Sequence, residues 1–300
     1  MQAHATQPSS NLVFDPAQIR RARMRSHSKL SEHGFLIDWV SDQIIDRLSL
    51  VKRDFETALH IGNRATNDFS DGLKRATNAK TLFTMDRTHA PIIAEEEMFP
   101  FPQNSLDLIT SAMNFHTIND LPGALIQMRQ ALKPDGLLLS GMLGGETLHE
   151  LRAALQEAEM TLTGGLSPRV APFADKQDVG GLMQRAGFAL PVVDSDILTV
   201  TYDNMFKLMH DLRYMGEGNS IAARHKSIPP RALFFEAAKI YNDKFSDADG
   251  RIRASFEVIF MIGWAPHASQ PKPLKPGSAK NSLADALGSS EIKTGEKATP

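Results

Sequence analysis

Short β-rich runs alternate with helical patterns along most of this chain, and no other feature of the sequence constrains the fold as much. The runs 57–62 (TALHIG), 81–85 (TLFTM), 91–94 (PIIA), 106–112 (LDLITSA), 137–143, 190–201 and 255–264 (SFEVIFMIGW) are all strand-sized. Strands that alternate with helices pair in parallel through right-handed crossovers, which predicts a doubly wound, Rossmann-like α/β sheet.

Between the runs the helical spacing is explicit. Leu36, Val40, Ile44 and Leu48 recur four apart within 30–49, an amphipathic helix ahead of the first strand. The segment 119–133 opens at Asn119–Asp120, carries Pro122 in its first turn, and stops at the turn Lys133-Pro134-Asp135-Gly136. Gly144–Gly145 breaks the chain before a helix bearing Leu148, Leu151 and Leu155, and another runs from Asp175 to Ala186. Asp203 is the expected cap of a helix that Gly216 ends, and Pro229–Pro230 opens one more. The predicted organisation is a basic lead-in over 1–29, a domain over 30–264 with a helical insertion at about 203–250, and a disordered tail over 265–300, rich in Pro, Ser, Lys and Ala.

Composition removes several functions. The absence of cysteine excludes disulfides, thiolate zinc sites, cysteine-ligated iron–sulfur clusters and a cysteine nucleophile. A net charge of -2 leaves no polyanion footprint, and the basic run from Arg20 to Lys29 has no interleaved aromatics, so nucleic-acid binding is not expected. No stretch reaches the roughly 18 apolar residues of a membrane span, and Met1–Asn11 lacks the apolar run of a secretory signal. There is no P-loop, no G-x-S-x-G elbow and no His-x-Asp or His-x-Glu pattern of a non-haem iron site, and no metal is expected.

In a doubly wound sheet, ligands bind beyond the carboxyl ends of the strands where strand order reverses, which directs attention to the loop 58–68 (ALHIGNRATND). Gly62 permits close backbone approach to a nucleotide-type cofactor, with Ala65 and Thr66 where further glycines would be expected. Asp86, just after the second strand, can accept bonds from both hydroxyls of a ribose, and Glu95, at the end of the third, from an adenine amino group. An ordinary strand-to-helix turn flanked by solvated acids is the alternative.

Larger blocks carry a resemblance. Residues 14–25 (FDPAQIRRARMR), 106–139, 144–151 (GGETLHEL), 164–173 (GGLSPRVAPF), 211–216 (DLRYMG) and 249–264 resemble the mitochondrial complex I assembly factor 5 family and its bacterial homologues. That family lies within the class I S-adenosylmethionine-dependent methyltransferase superfamily, and the likeness runs from Phe14 to Ala279. It implies a seven-stranded sheet, mostly parallel with an antiparallel last strand at 255–264, and S-adenosylmethionine as cofactor. It also implies Gly62, Asp86 and Glu95 at cofactor-contacting positions. The mitochondrial member is understood to hydroxylate an arginine of a complex I subunit, and bacterial relatives are described as malonyl-carrier-protein methyltransferases. The corresponding location is the cytoplasm for a bacterial chain and the mitochondrial matrix for a eukaryotic one. His60 stands where relatives carry an acid, and Asn63, Arg64 and Thr66 crowd a loop that is richer in glycine elsewhere. In this reading Arg64 contacts the cofactor carboxylate, with His60 beside it.

Methyl transfer needs alignment of nucleophile, methyl and leaving sulfur, plus a base when the nucleophile is protonated. Asn114, Phe115 and His116 follow the fourth strand, whose end faces the sulfonium in this fold. His116 is the candidate base, Asn114 a cofactor contact and Phe115 a pocket wall. Glu146 and Thr147 can orient a substrate or begin the next helix. Met205, Leu208, Met209 and Leu212 form a stripe that serves as core or as a cap over the cleft. Three functions follow. The first is methylation or hydroxylation of a protein substrate, a complex I subunit, during assembly. The second is O-methylation of a carrier-protein-bound or small-molecule acid. The third is a non-catalytic assembly factor with a degenerate cofactor loop.

Overall fold

Asp15 and Pro16 start the first ordered element of the computed structural model, which describes residues 12–65, 69–271 and 287–289. The Asp15 carboxylate accepts from the Gln18 N–H at 3.1 Å and Pro16 takes the first turn, so α1 (Pro16–Ser26) is capped from its own sequence. Its buried face is Ile19, Ala22, Arg23 and Ser26, so this part of the basic stretch packs one face against the domain while Arg20, Arg21 and Arg25 stay exposed. After a short 3₁₀ turn come α2 (Leu30–His33) and α3 (Phe35–Ser49). The single helix expected over 30–49 is divided at Gly34, whose N–H closes α2 on Leu30 and whose carbonyl receives the Asp38 N–H to begin α3.

The remaining elements are β1 (Thr57–Ile61), α4 (Phe69–Thr77), β2 (Thr81–Asp86), β3 (Ile92–Ile93), β4 (Leu106–Ala112), α5 (Leu121–Ala131) and β5 (Leu132–Leu143), then α6 (His149–Thr163), α7 (Lys176–Arg185), β6 (Ala189–Tyr202), α8 (Met205–Met215), α9 (Arg231–Phe245) and β7 (Ile252–Trp264). The strands form one sheet in the order β3-β2-β1-β4-β5-β7-β6. β7 is antiparallel to both neighbours, and the pairs from β3 to β5 are parallel, as the sequence leads one to expect.

Central strands are continuous apolar runs because both faces are covered, and their side chains divide by period two. Leu137, Leu139 and Leu143 pack with α3, α6, α8 and α9 on one face, whereas Leu138 and Met142 pack with α5 and α7 on the other. Two local expectations are corrected. Asn204, not Asp203, caps α8: its side chain accepts from Lys207 N–H at 3.1 Å, while Asp203 pairs with Arg251. The 133–136 turn lies within β5, with Asp135 at φ 64° and a register shift where the strand bends.

One compact unit ends at Pro266 and another begins at His267; everything below concerns the first. Most of the expected tail, and Thr66 of the loop, lie outside the described residues.

Candidate functional site

Strand order reverses between β1 and β4, so the carboxyl ends of β1, β2 and β4 open the crevice. Gly62 sits there at φ +98°, where a Cβ would also come within 3.2 Å of the Ala112 carbonyl oxygen. The turn needs glycine on both counts. His60 braces it, with Nε2 2.9 Å from the Gly62 carbonyl oxygen and Nδ1 3.0 Å from the Thr110 hydroxyl.

Burial lowers the His60 pKa to about 4 against the opposing pull of the Gly62 carbonyl and Asp86. The ring is therefore neutral at physiological pH, and its Nε2–H donates to Gly62. Because the folded value lies below the ordinary 6.5, the unfolded chain binds the extra proton between pH 6.5 and 4. Stability then falls as pH drops through that window, by on the order of 3 kcal/mol. His60→Gln is expected to flatten the urea-midpoint profile across this range. Parallel profiles for the variant and wild type would refute this assignment.

The two expected cofactor acids are both paired with arginines of α1. Arg23 Nη1 lies 3.4 Å from Asp86 Oδ2, and Oδ1 accepts from the Thr88 N–H (2.7 Å), the Thr88 hydroxyl (2.8 Å) and the His89 N–H (3.3 Å). Burial pushes the Asp86 pKa up, but Arg23 and these bonds outweigh it and hold the carboxyl below its usual range. Arg23 itself is lowered to about 10, chiefly by burial and then by its neighbours Arg87 and Arg64, so it remains cationic. Arg20, one turn before Arg23 on the same helix face, pairs with Glu95. Arg87 bridges Glu95 at 3.1 Å and Glu96 at 2.5 Å.

Asn114 donates its amide to Glu96, which turns Oδ1 the other way; that buried oxygen has no partner among the described residues. Arg64 is also buried and ties three segments together. Its Nη1 donates to the Met113 carbonyl at 2.9 Å, and Nη2 to the Met215 carbonyl at 2.8 Å and to Glu217 Oε1 at 2.6 Å. Arg64 Nε is a second buried atom with no partner among the described residues.

His116 lies in a 3₁₀ turn after β4. Its Nε2 is 2.9 Å from Glu217 Oε2, the Leu143 N–H points at Nδ1 from 3.5 Å, and its ring meets Phe173 edge-on. Burial raises the Glu217 pKa, but His116 and Arg64 outweigh it and keep the carboxylate well below its ordinary range.

A cavity of about 300 Å³ adjoins this group, walled by Leu143, Leu148, Leu155, Phe173, Met209 and Phe256. Glu217 lines it, and so do Arg169 and Arg224, which are paired with Glu159 and Asp15. His116 stands behind Glu217 and Phe173 rather than on the cavity wall. Phe115 is buried among α5 and sheet residues and does not wall the cavity. Glu146 N–H and the Thr147 hydroxyl bond Glu257, bracing β7, and α6 starts only at His149. The α8 stripe packs Met205, Leu208 and Leu212 in the core, and Met209 and Leu212 also line the cavity.

Glu217 escaped the sequence reading because it lies 101 residues from His116. The one local signal was its position directly after Gly216, the φ +90° residue that stops α8.

Sheet order, switch-point crevice and paired acids together define a methyltransferase fold, and a family model described as a methyltransferase domain matches residues 6–191. The chain is 39% identical over 286 residues, 91% of its length and 89% of the relative's, to the mitochondrial arginine-hydroxylase NDUFAF5 of Danio rerio. With the Homo sapiens protein of the same name it shares 36% over 296 residues, 94% of this chain and 85% of that one. It is also 31% identical over 283 residues, 87% of this chain and 93% of the other, to a malonyl-[acyl-carrier protein] O-methyltransferase of Methylovorus sp. (strain MP688). The chain belongs to the NDUFAF5 family of the methyltransferase superfamily. The YcgJ protein of Bacillus subtilis, at 13% identity and a TM-score of 0.51 over 75% of this chain and 99% of that one, supports the fold alone.

S-adenosylmethionine is the cofactor of this superfamily, and the residues at the crevice fit it. Gly62 holds the strand-end turn at a positive φ, the Asp86 carboxylate is kept ionised, and two buried polar atoms without partners among the described residues, Asn114 Oδ1 and Arg64 Nε, mark places for partners.

Proposed function

We propose that this chain is an S-adenosylmethionine-dependent enzyme that modifies a protein side chain, an arginine of a respiratory complex I subunit. The observation that carries the reading is Glu217, an ionised carboxylate and the one acid among the described residues lining a largely apolar cavity, fixed by Arg64 and His116. A guanidinium crossing leucine and phenylalanine walls would meet this one acid with its planar fork, the pairing that carboxylates make best.

When bound, the cofactor supplies an electrophilic methyl group on a sulfonium. Asp86 would hold its ribose, Glu95 its adenine, and Asn114 Oδ1 and Arg64 the amino-acid end, with His60 holding the Gly62 turn. Both ring nitrogens of His116 are engaged, so its role is to position Glu217, and the substrate-facing group becomes Glu217 itself. The relatives' names support an arginine substrate and a mitochondrial setting; a bacterial chain would act in the cytoplasm. No described helix is long and apolar enough to cross a membrane.

The test is mass analysis of complex I subunits from cells with and without the protein. A subunit arginine lighter by one oxygen in the deletion supports hydroxylation, a step that would take its oxygen from dioxygen and two electrons from a separate reductant with release of water, and one lighter by a methylene supports methylation from the sulfonium. Identical masses throughout would sink the proposal. Glu217→Gln should lower the modification about tenfold or more, as expected for loss of a charge-assisted bond.

The leucine-lined cavity also favours a second reading, O-methylation of an acid carried on an acyl arm, which the Methylovorus relative supports. Methyl transfer to malonyl-carrier protein in vitro would separate the two.

A further inference from the structure

The fold brings His33 of α2 against His210 and Asp211 of α8, and we propose that these three side chains form a binding site for a first-row divalent transition metal such as zinc. Their donor atoms all lie within 4.8 Å of one another. They come from places 178 residues apart, so no sequence motif announces them.

The geometry is prepared rather than incidental. His33 Nδ1 is 2.7 Å from Asp211 Oδ1, and the His33 side chain is 15% exposed, Asp211 27%. Tyr214, one turn after His210, stacks on His33 at 5.2 Å and packs against His210 at 4.5 Å, while the two imidazoles meet edge-on at 5.2 Å. One tyrosine ring thus holds both imidazoles, which reduces the side-chain freedom that a metal would otherwise have to freeze. The Glu32 carboxylate, 3.9 Å from His33 Nε2, adds nearby negative charge.

A His33–Asp211 hydrogen bond by itself would not require His210 to join the cluster. Two imidazoles and a carboxylate suit zinc, iron(II) or cobalt(II), whereas magnesium and calcium prefer all-oxygen shells. Three protein ligands leave coordination positions for water.

The position in the fold gives such an ion a consequence. Met209 and Leu212 of the same helix line the cavity, so a metal at His210 and Asp211 would tie that cavity wall to α2. The site is independent of the cofactor crevice and of Glu217, and it stands whichever substrate reading holds.

Untagged full-length protein, stripped with chelator and dialysed, would be titrated with cobalt(II) by visible absorption and with zinc(II) by calorimetry. One equivalent should bind saturably, and zinc(II) should raise the thermal midpoint. His210→Ala, at an exposed position that leaves the core untouched, and His33→Gln should each weaken binding tenfold or more, and His210→Ala should abolish the zinc-induced midpoint shift. Absence of saturable one-to-one binding up to millimolar metal would overturn the proposal. So would equal affinity in wild type and His210→Ala.

Discussion

Replacing Arg64 with alanine is expected to destabilise the protein by about 3–5 kcal/mol, the usual effect of breaking a buried ion pair from one side. Arg64 is 5% exposed and its partner Glu217 is nearly as buried. Alanine would leave the Glu217 carboxylate with His116 alone and strip the Met113 and Met215 carbonyls of their donor. These acceptors come from the end of β4, the end of α8 and the segment after it, so their loss would loosen the join between the crevice and the cavity wall. Urea unfolding of wild type and variant measures the effect. Arg64→Lys should fall between them, because one ammonium cannot reproduce the three-acceptor fork. The double variant Arg64→Met/Glu217→Leu should recover much of the loss, since the uncompensated charge goes with its partner. A loss below about 1 kcal/mol for Arg64→Ala would place the pair among ordinary surface salt bridges.

Asp86 and Arg23 should move cofactor affinity in opposite directions. Asp86→Ala removes the ribose acceptor and is expected to weaken S-adenosylmethionine binding tenfold or more. Arg23 occupies one oxygen of that carboxylate in the structure, while Thr88 and His89 occupy the other. A ribose must therefore compete with the α1 guanidinium, and Arg23→Ala should tighten binding even as it destabilises the free protein. Equilibrium binding of labelled cofactor to the two variants reads both effects. Weaker binding by both would mean that Arg23 helps to hold the cofactor rather than competing for Asp86.

The sheet was legible because its central strands are buried on both faces and write themselves as short apolar runs bounded by glycine and turn residues. Helix breaks were less so: Gly34 divides a pattern whose apolar spacing continues across it, and Asn204 outcompetes its neighbour Asp203 for the α8 cap by side-chain geometry alone. At the site, Gly62 and Asp86 were legible only jointly, through their order and spacing after successive strands, because a lone strand-end glycine or acid is as well explained by an ordinary turn. Arg23 did not, since its burial depends on α1 folding back onto β2, 63 residues away. Glu217 and the His33–His210–Asp211 cluster were invisible for the same reason: long-range packing alone brings their members together. His60 was visible as a departure from the family acid, but its part as a neutral brace for the Gly62 turn required the Thr110 and Gly62 distances.

The central claim, that this crevice holds S-adenosylmethionine despite its altered loop, is tested most directly by calorimetric titration of the wild-type protein with the cofactor. The account predicts saturable one-to-one binding. No detectable binding at millimolar cofactor would contradict it and leave the chain a scaffold that keeps the fold without its chemistry.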